Sequence, residues 1–109
     1  MAQAGYVKLY RTTLDWEWFK DTATTHVWLY ILMRVNWEPS KYKGVRIRRG
    51  EMLESLATMA DKTGLSIQQI RTALNHLKST GEITTKATRH GTVISVVKYS
   101  IYQGLVGED

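Results

Sequence analysis

The sequence predicts a single α+β domain, and the order of the elements in its second half carries the prediction. Two short amphipathic helices are separated only by Gly64 and Leu65, and two strand-like segments joined by a turn follow directly. Helix, helix and β-hairpin in this order are typical of a winged helix-turn-helix. The chain has 109 residues, of which 43% are hydrophobic, and this is enough for one core. We therefore expect one such domain over residues 1–109, with an ordered core at 5–103, a frayed tail at 104–109, an extra N-terminal strand and a C-terminal β-hairpin wing.

Capping residues predict where the first two helices begin and end. Asp21 is a good N-cap for a helix over Thr22–Trp37, which cannot continue through Pro39. Ser55 caps the second helix, and Gly64 ends it because glycine readily adopts the left-handed conformation found there.

The third helix begins at Ser66 and closes at Gly81. Ser66 followed three residues later by Gln69 matches a capping box, in which the two residues satisfy each other's backbone N–H groups. The inward stripe of this helix consists of Ile70, Ala73, Leu74 and Leu77.

Alternating apolar and polar residues predict the strands. They are expected at Gly5–Arg11, at Val45–Arg49 with its continuation through Met52 and Leu53, at Glu82–Ala87 and at Thr92–Tyr99. Arg89, His90 and Gly91 join the last two strands as a hairpin, with which Val45–Arg49 is expected to pair. The aromatic segment Leu14–Lys20 is expected to pack as an irregular stretch or a short turn of helix.

The third helix carries the side chains of a helix that reads double-stranded DNA. Amides suit adenine, Arg suits guanine and Lys suits phosphate, and no acidic residue lies between Ser66 and Gly81. The predicted contacts on this outer face are Gln68, Gln69, Arg71, Thr72, Asn75 and Lys78. Gln69 has an alternative, structural role in the capping box. The alternative for the whole face is a solvated surface in a winged helix that makes only protein contacts.

Basic residues outside the third helix extend the expected DNA surface. The formal net charge is +5, and no acid lies between Glu38 and Glu51. Basic residues in that interval are Lys41, Lys43, Arg46, Arg48 and Arg49. Arg46 and Arg48 are expected to share a face with the wing, where Lys86 and Arg89 are expected to contact phosphate. A solvated face is the alternative for this charge run.

The first helix has two apolar stripes where an amphipathic surface helix needs one. Val27, Trp28, Ile31, Leu32 and Val35 form the first stripe, and Tyr30, Met33 and Trp37 form the second. We expect the second stripe, with Tyr6 and Leu9 of the N-terminal strand, to form a homo-oligomer interface. The alternative is that the N-terminal strand and the aromatic segment Trp16–Phe19 cover this face within one chain.

The residues do not favour catalysis. The chain has no Cys, and its three His residues, His26, His76 and His90, are scattered without metal-ligand spacing. Asp15 and Glu17 are spaced as on one solvated face, and no Gly-rich phosphate loop is present. We therefore expect a binding protein that is not an enzyme and takes neither a metal nor a cofactor.

No pattern in the sequence favours a membrane location. The longest apolar stretch, Val27–Val35, is interrupted by Arg34 and is too short to span a bilayer. No signal-peptide pattern opens the chain. We expect a cytoplasmic protein without membrane contact.

The run Ser66–Ile83 resembles the winged helix of phage replisome organisers and DnaD-like primosome proteins. The opening Gly5–Arg11 and the ending Val96–Gln103 resemble the same proteins, so the likeness covers nearly the whole chain. It implies a DNA-binding, self-associating domain in replication initiation, with initiator or helicase-loading proteins as partners. Members of these families often carry a second, C-terminal domain, so the full protein is expected to be longer. Two alternatives remain open: an oligomerisation module of a primosome or helicase-loading complex, and a transcriptional regulator with the same local chemistry.

Overall fold

The computed structural model describes residues 5–104, which form an α+β fold. The helices of this part are α1 (Thr22–Arg34), α2 (Leu56–Thr63), α3 (Ile67–Ser79) and the short α4 (Tyr99–Tyr102). Its strands are β1 (Tyr6–Val7), β2 (Ser40–Tyr42), β3 (Val45–Ile47), β4 (Glu51–Glu54), β5 (Ile83–Thr88), β6 (Gly91–Val96) and β7 (Gln103–Gly104). A 3₁₀ helix at Arg11–Asp15 precedes α1 and overlaps only at Leu14 and Asp15 with the segment Leu14–Lys20, which the sequence predicts to be irregular or briefly helical.

The strands form three small antiparallel sheets. The largest has the order β4-β6-β5, in which the hairpin of β5 and β6 is paired on its β6 side with β4. β2 pairs with β3 as a separate hairpin, and β1 pairs with β7 near the two ends of the described chain.

The core lies between α1, α3 and the three-stranded sheet. Ile31 of α1, Ile70 and Leu77 of α3, and Ile94 of β6 are completely buried. α2 contributes Met59, which is equally inaccessible to solvent. Burying these branched and unbranched apolar side chains is the main stabilising contribution in a domain of this size.

The predicted helix caps are confirmed. The Asp21 carboxylate accepts a hydrogen bond from the Thr24 N–H at 3.0 Å, and the Ser55 hydroxyl accepts one from the Thr58 N–H at 3.1 Å. Gly64 ends α2 in the left-handed conformation, with a φ of 77°. The capping box that begins α3 is present with both of its reciprocal bonds.

The predicted end of the first helix is wrong by three residues. α1 ends at Arg34, and Val35 is already extended. The cause is a backbone interaction with the start of β4: the Asn36 N–H donates to the Glu51 carbonyl at 2.8 Å, and the Asn36 carbonyl accepts from the Gly50 N–H at 2.7 Å.

The predicted strand Val45–Arg49, with its continuation through Met52 and Leu53, is two strands that pair with different partners. Gly50 separates β3 from β4 with a φ of 83°, and a side chain there would collide with the ring of Tyr99. β4 pairs with the β5–β6 hairpin, whereas β3 pairs with β2, a strand that the sequence analysis missed. The expected pairing of Val45–Arg49 with the wing hairpin is therefore wrong.

Two other predicted strands are shorter than expected. Only Tyr6 and Val7 of Gly5–Arg11 are extended in a sheet, and β6 ends at Val96 because Tyr99 begins α4. Gly104, which was assigned to the frayed tail, pairs with Tyr6. The rest of that predicted tail lies outside the described residues.

Candidate nucleic-acid interface

α3 presents one face to the core and the opposite face to solvent. Ile70, Ala73, Leu74 and Leu77 are buried, as their spacing predicts. Because a helix turns about 100° per residue, Arg71 and Asn75 lie on the outer side. Both are exposed, as are Gln68, Thr72 and Lys78.

Cationic and amide groups on this outer face are free to bind a ligand. Within residues 5–104, neither Arg71 nor Lys78 forms an ion pair or a side-chain hydrogen bond with another group. Gln68 Nε2 donates to Thr72 Oγ1 at 3.3 Å, a long bond that an incoming acceptor can replace at low cost. The face thus offers donors for phosphates and base edges, and within the described residues neither of its cations is paired with a carboxylate.

Gln69 has the structural role that was its alternative. Its Oε1 accepts from the Ser66 N–H at 2.9 Å, and its own N–H donates to Ser66 Oγ at 3.0 Å. Since its amide oxygen is occupied in the capping box, Gln69 belongs to the start of the helix rather than to the contact surface.

His76 attaches α3 to the N-terminal part of the chain, a role that the sequence analysis missed. Its ring stacks on the indole of Trp18, with ring centroids 4.1 Å apart and planes 9° from parallel. Its Nδ1 lies 2.9 Å from Oγ1 of the buried Thr24 and 3.3 Å from a carboxylate oxygen of Asp21. These contacts join α3 to the N-terminal end of α1 and set the direction in which the outer face points.

The β5–β6 hairpin carries the other predicted contacts. Lys86 is exposed on β5, directly opposite Val93, and Arg89 is exposed at the turn. Thr88 braces this turn, because its hydroxyl donates to the Gly91 carbonyl at 2.8 Å and accepts from the His90 N–H at 3.1 Å.

Arg46 and Arg48 do not lie on the sheet of that hairpin. Arg46 is on β3 and Arg48 follows it, so the expected shared face with the wing is wrong. A different contact brings the two hairpins together: the ring of Tyr42 meets that of His90 edge-on, with centroids 6.2 Å apart. The tip of the β2–β3 hairpin therefore lies beside the turn that carries Arg89.

The second apolar stripe of α1 is not a continuous apolar surface. The Tyr30 hydroxyl donates to Glu54 at 2.5 Å, and Arg34 Nη2 lies 3.3 Å from the other carboxylate oxygen. Burial, followed by the hydrogen bond to the Glu54 carboxylate, raises the pKa of Tyr30 to about 12. Met33 is 71% exposed, whereas Trp37 lies beyond the end of the helix and is half-buried.

The other members of the predicted oligomer interface lie elsewhere. Tyr6 and Leu9 are exposed, but their N-terminal segment joins α4, since the Lys8 N–H donates to the Tyr102 carbonyl. The Tyr102 ring in turn packs on Trp28, two positions from Tyr30 and so on the opposite flank of α1. Trp16 also packs on Trp28, while Trp18 covers His76. Self-association stays a prediction, and within the described residues the N-terminal segment and Tyr30 lie on different flanks of α1.

The described residues contain neither a metal-ligand cluster nor a membrane-spanning helix. Within residues 5–104, no three His, Asp or Glu side chains are placed to hold a metal ion together. In the same range, each helix is too short or too polar to cross a bilayer.

Comparison of the chain with protein-family models, curated protein sequences and solved structures finds no match.

Proposed function

We propose that the chain is a winged helix-turn-helix that binds double-stranded DNA. In this proposal, α3 is the recognition helix and enters the major groove, whose width of about 12 Å admits one helix. The β5–β6 hairpin is the wing and lies along the phosphate backbone. Arg71, Asn75, Gln68 and Thr72 read bases, while Lys78, Lys86 and Arg89 contact phosphates.

The observation that carries the proposal is that the outer face of α3 is exposed and that its cations have no ion-pair partner within the described residues. Two acidic groups near α3 are already in use: Asp21 caps α1 and faces His76, and Glu82 accepts hydrogen bonds from Trp16 and Thr80. Arg71 and Lys78 remain unpaired within the described part of the chain. A DNA duplex is a polyanion with grooves that admit a helix. Unpaired cations on an exposed helix and a basic hairpin turn that follows it in the chain suit such a ligand.

The proposed biological setting is replication initiation. It rests on the resemblance of Ser66–Ile83 to phage replisome organisers and DnaD-like primosome proteins. In that setting the domain positions an initiation complex on DNA before helicase loading. A transcriptional regulator would use the same local chemistry.

Titration of a labelled duplex by fluorescence anisotropy at several salt concentrations tests the proposal. With Lys78, Lys86 and Arg89 on phosphates, the logarithm of affinity should fall with the logarithm of salt concentration with a slope of about −3. Arg71→Ala should cost about 1–3 kcal/mol and relax the preference at one base position. Lys86→Ala should weaken binding to all sequences alike.

Arg11→Ala is the matched control, because it removes the same charge from the 3₁₀ helix. It should bind as the parent does. A folded parent protein that shows no duplex binding at low salt contradicts the proposal. If light scattering then shows a stable assembly, the oligomerisation module becomes the better explanation.

A further inference from the structure

The β2–β3 hairpin is a dense basic element that the proposed winged helix does not require. Residues 39–49 hold five of the fifteen Lys and Arg residues of the chain and no acid. Lys41 and Arg46 are paired directly opposite each other across the hairpin, and both are exposed. Like charges in directly opposed positions destabilise a strand pair. A two-stranded hairpin has little stability to spare, so this pair is costly unless an external anion neutralises it.

Carboxylates near the hairpin do not neutralise it. The two Glu51 oxygens accept from the Arg48 backbone N–H at 2.9 Å and from the Ser95 hydroxyl at 2.7 Å. Glu54 is buried and is held by Tyr30 and Arg34. Within residues 5–104, the side chains of Lys41, Lys43 and Arg46 have no ion pair with a carboxylate.

The shape of the region gives an anion room to bind. Four basic side chains line a shallow depression of about 640 Å³ on the hairpin and the turn that follows it. They are Lys41, Arg46, Arg48 and Arg49. Arg49 is also anchored, because its guanidinium lies 4.9 Å from the centre of the Tyr99 ring and donates to Ser100 Oγ at 3.2 Å.

The position of the β2–β3 hairpin, beside the turn of the β5–β6 hairpin, indicates which kind of anion it binds. Tyr42 packs edge-on against His90, so the tip at Lys43 lies next to the turn of the β5–β6 hairpin. In such a complex, a duplex whose backbone runs along that turn lies close to the tip of the β2–β3 hairpin. Repeated phosphates, one for about every 3.4 Å of helix axis on each strand, suit several cations spread along one edge better than one small anion does.

We propose that the β2–β3 hairpin is a second wing that binds the phosphate backbone of the same DNA duplex beyond the β5–β6 turn. This inference rests on the proposed DNA-binding function. Lys41, Lys43 and Arg46 supply the phosphate contacts, and the Tyr42–His90 contact holds the two wings side by side. The second wing lengthens the bound site and adds affinity that does not depend on sequence.

The test compares the parent with the triple variant Lys41→Gln, Lys43→Gln, Arg46→Gln on two duplexes. One duplex covers only the α3 and β5–β6 contacts, and the other extends past the wing turn. On the longer duplex, the salt dependence of the triple variant should be shallower by about 3 in slope. On the shorter duplex, parent and variant should bind with closely similar affinity.

A matched control removes three charges at the other end of the sheet. Lys8→Gln, Arg11→Gln, Lys98→Gln changes the net charge by the same amount near the Ile83–Val96 end, away from the wing turn. It should leave the slope on both duplexes close to that of the parent. Folding is followed by thermal denaturation, in which the hairpin variant should be at least as stable as the parent because the Lys41–Arg46 repulsion is gone. The single variant Lys43→Gln gives an independent measurement, because Lys43 lies at the turn and has no cross-strand partner. On the longer duplex, its salt dependence should be shallower than that of the parent by about 1 in slope.

Failure of this inference is distinguishable from failure of the proposed function. If Arg71→Ala weakens binding but the hairpin variant keeps the parent's slope on the longer duplex, DNA binding stands and the second wing is wrong. If the parent binds no duplex, both are wrong. If the hairpin variant loses binding to an acidic polypeptide such as poly-glutamate but not to DNA, the hairpin is a protein-binding element and the inference is overturned.

Discussion

Replacing Tyr30 by Phe tests how α1 is joined to β4. The substitution keeps the ring and removes one hydroxyl, which donates to the Glu54 carboxylate at 2.5 Å. Glu54 is only 7% exposed, so water cannot freely replace the lost donor. A hydrogen bond to a charged group contributes about 1.5–3 kcal/mol to stability. Arg34 stays near the other carboxylate oxygen and limits the damage, so we expect a loss of about 1–2 kcal/mol.

Urea and thermal denaturation at neutral pH measure this loss. For a domain of about this size, 1 kcal/mol corresponds to roughly 4–8 °C, so a loss of about 1–2 kcal/mol should lower the Tyr30→Phe midpoint by about 4–16 °C. Tyr42→Phe is the matched control, because its hydroxyl has no hydrogen-bond partner within residues 5–104 and the ring is half exposed. It should change stability by less than about 0.5 kcal/mol. Equal effects of the two substitutions would refute the assignment of Tyr30 as the donor that satisfies Glu54.

Two further predictions use the same measurements. Because the pKa of Tyr30 is raised from 10.0 to about 12, its contribution to stability is fully present below pH 10 and is lost as the pH rises toward 12. Denaturation across this pH range should show a steeper fall for the parent than for Tyr30→Phe, and parallel curves contradict it. Gly50→Ala should destabilise by about 1–3 kcal/mol more than Gly44→Ala. Both glycines have a positive φ, but only at Gly50 would an added Cβ meet the Tyr99 side chain, 2.8 Å from Tyr99 Cβ. Equal losses at the two glycines would show that Tyr99 moves aside freely.

Local chemistry made the helix starts predictable. Asp21, Ser55 and Ser66 each cap a backbone N–H three residues later, and such a bond depends on nothing outside one turn of chain. The end of α1 depends instead on the pairing of Asn36 with Gly50 and Glu51. That contact joins segments about fifteen residues apart, so hydrophobic spacing within α1 carries no sign of it.

The β2–β3 hairpin was missed because its strands lack the usual signal. Ser40, Lys41 and Tyr42 are all exposed, so β2 shows no alternation of buried and exposed residues. The turn is formed by Lys43 and Gly44, both with positive φ. Lys is rare in that conformation, which made the turn difficult to recognise from residue types.

The candidate contact face could be predicted because it follows helical periodicity. The contacts that hold α3 in place behind this face could not be predicted. Arg71 and Asn75 were placed on the outside of α3 by the spacing of the buried stripe alone. His76 is adjacent to Asn75 in sequence, yet its partners Trp18, Thr24 and Asp21 come from more than fifty residues away. A lone histidine in a helical pattern gives no indication of such a site.

On α3, the side chains proposed to bind DNA differ from those that hold the helix in place, so binding and stability can be tested separately. Side chains that hold the helix in place lie on its buried stripe and at His76, whereas the side chains proposed to meet DNA are exposed and, within residues 5–104, form no hydrogen bond with either set. Substituting Arg71 therefore removes a ligand group without disturbing packing, while substituting His76 alters the support and leaves every proposed DNA-contacting side chain present. If the outer face has been correctly identified, the two kinds of variant must differ. The Arg71 variant should bind DNA weakly and keep the stability of the parent. The His76 variant should lose stability first, and should lose binding only as the orientation of α3 changes. A common loss of both properties in both variants would mean that the outer face also supports the fold, and the case for a free recognition surface would be lost.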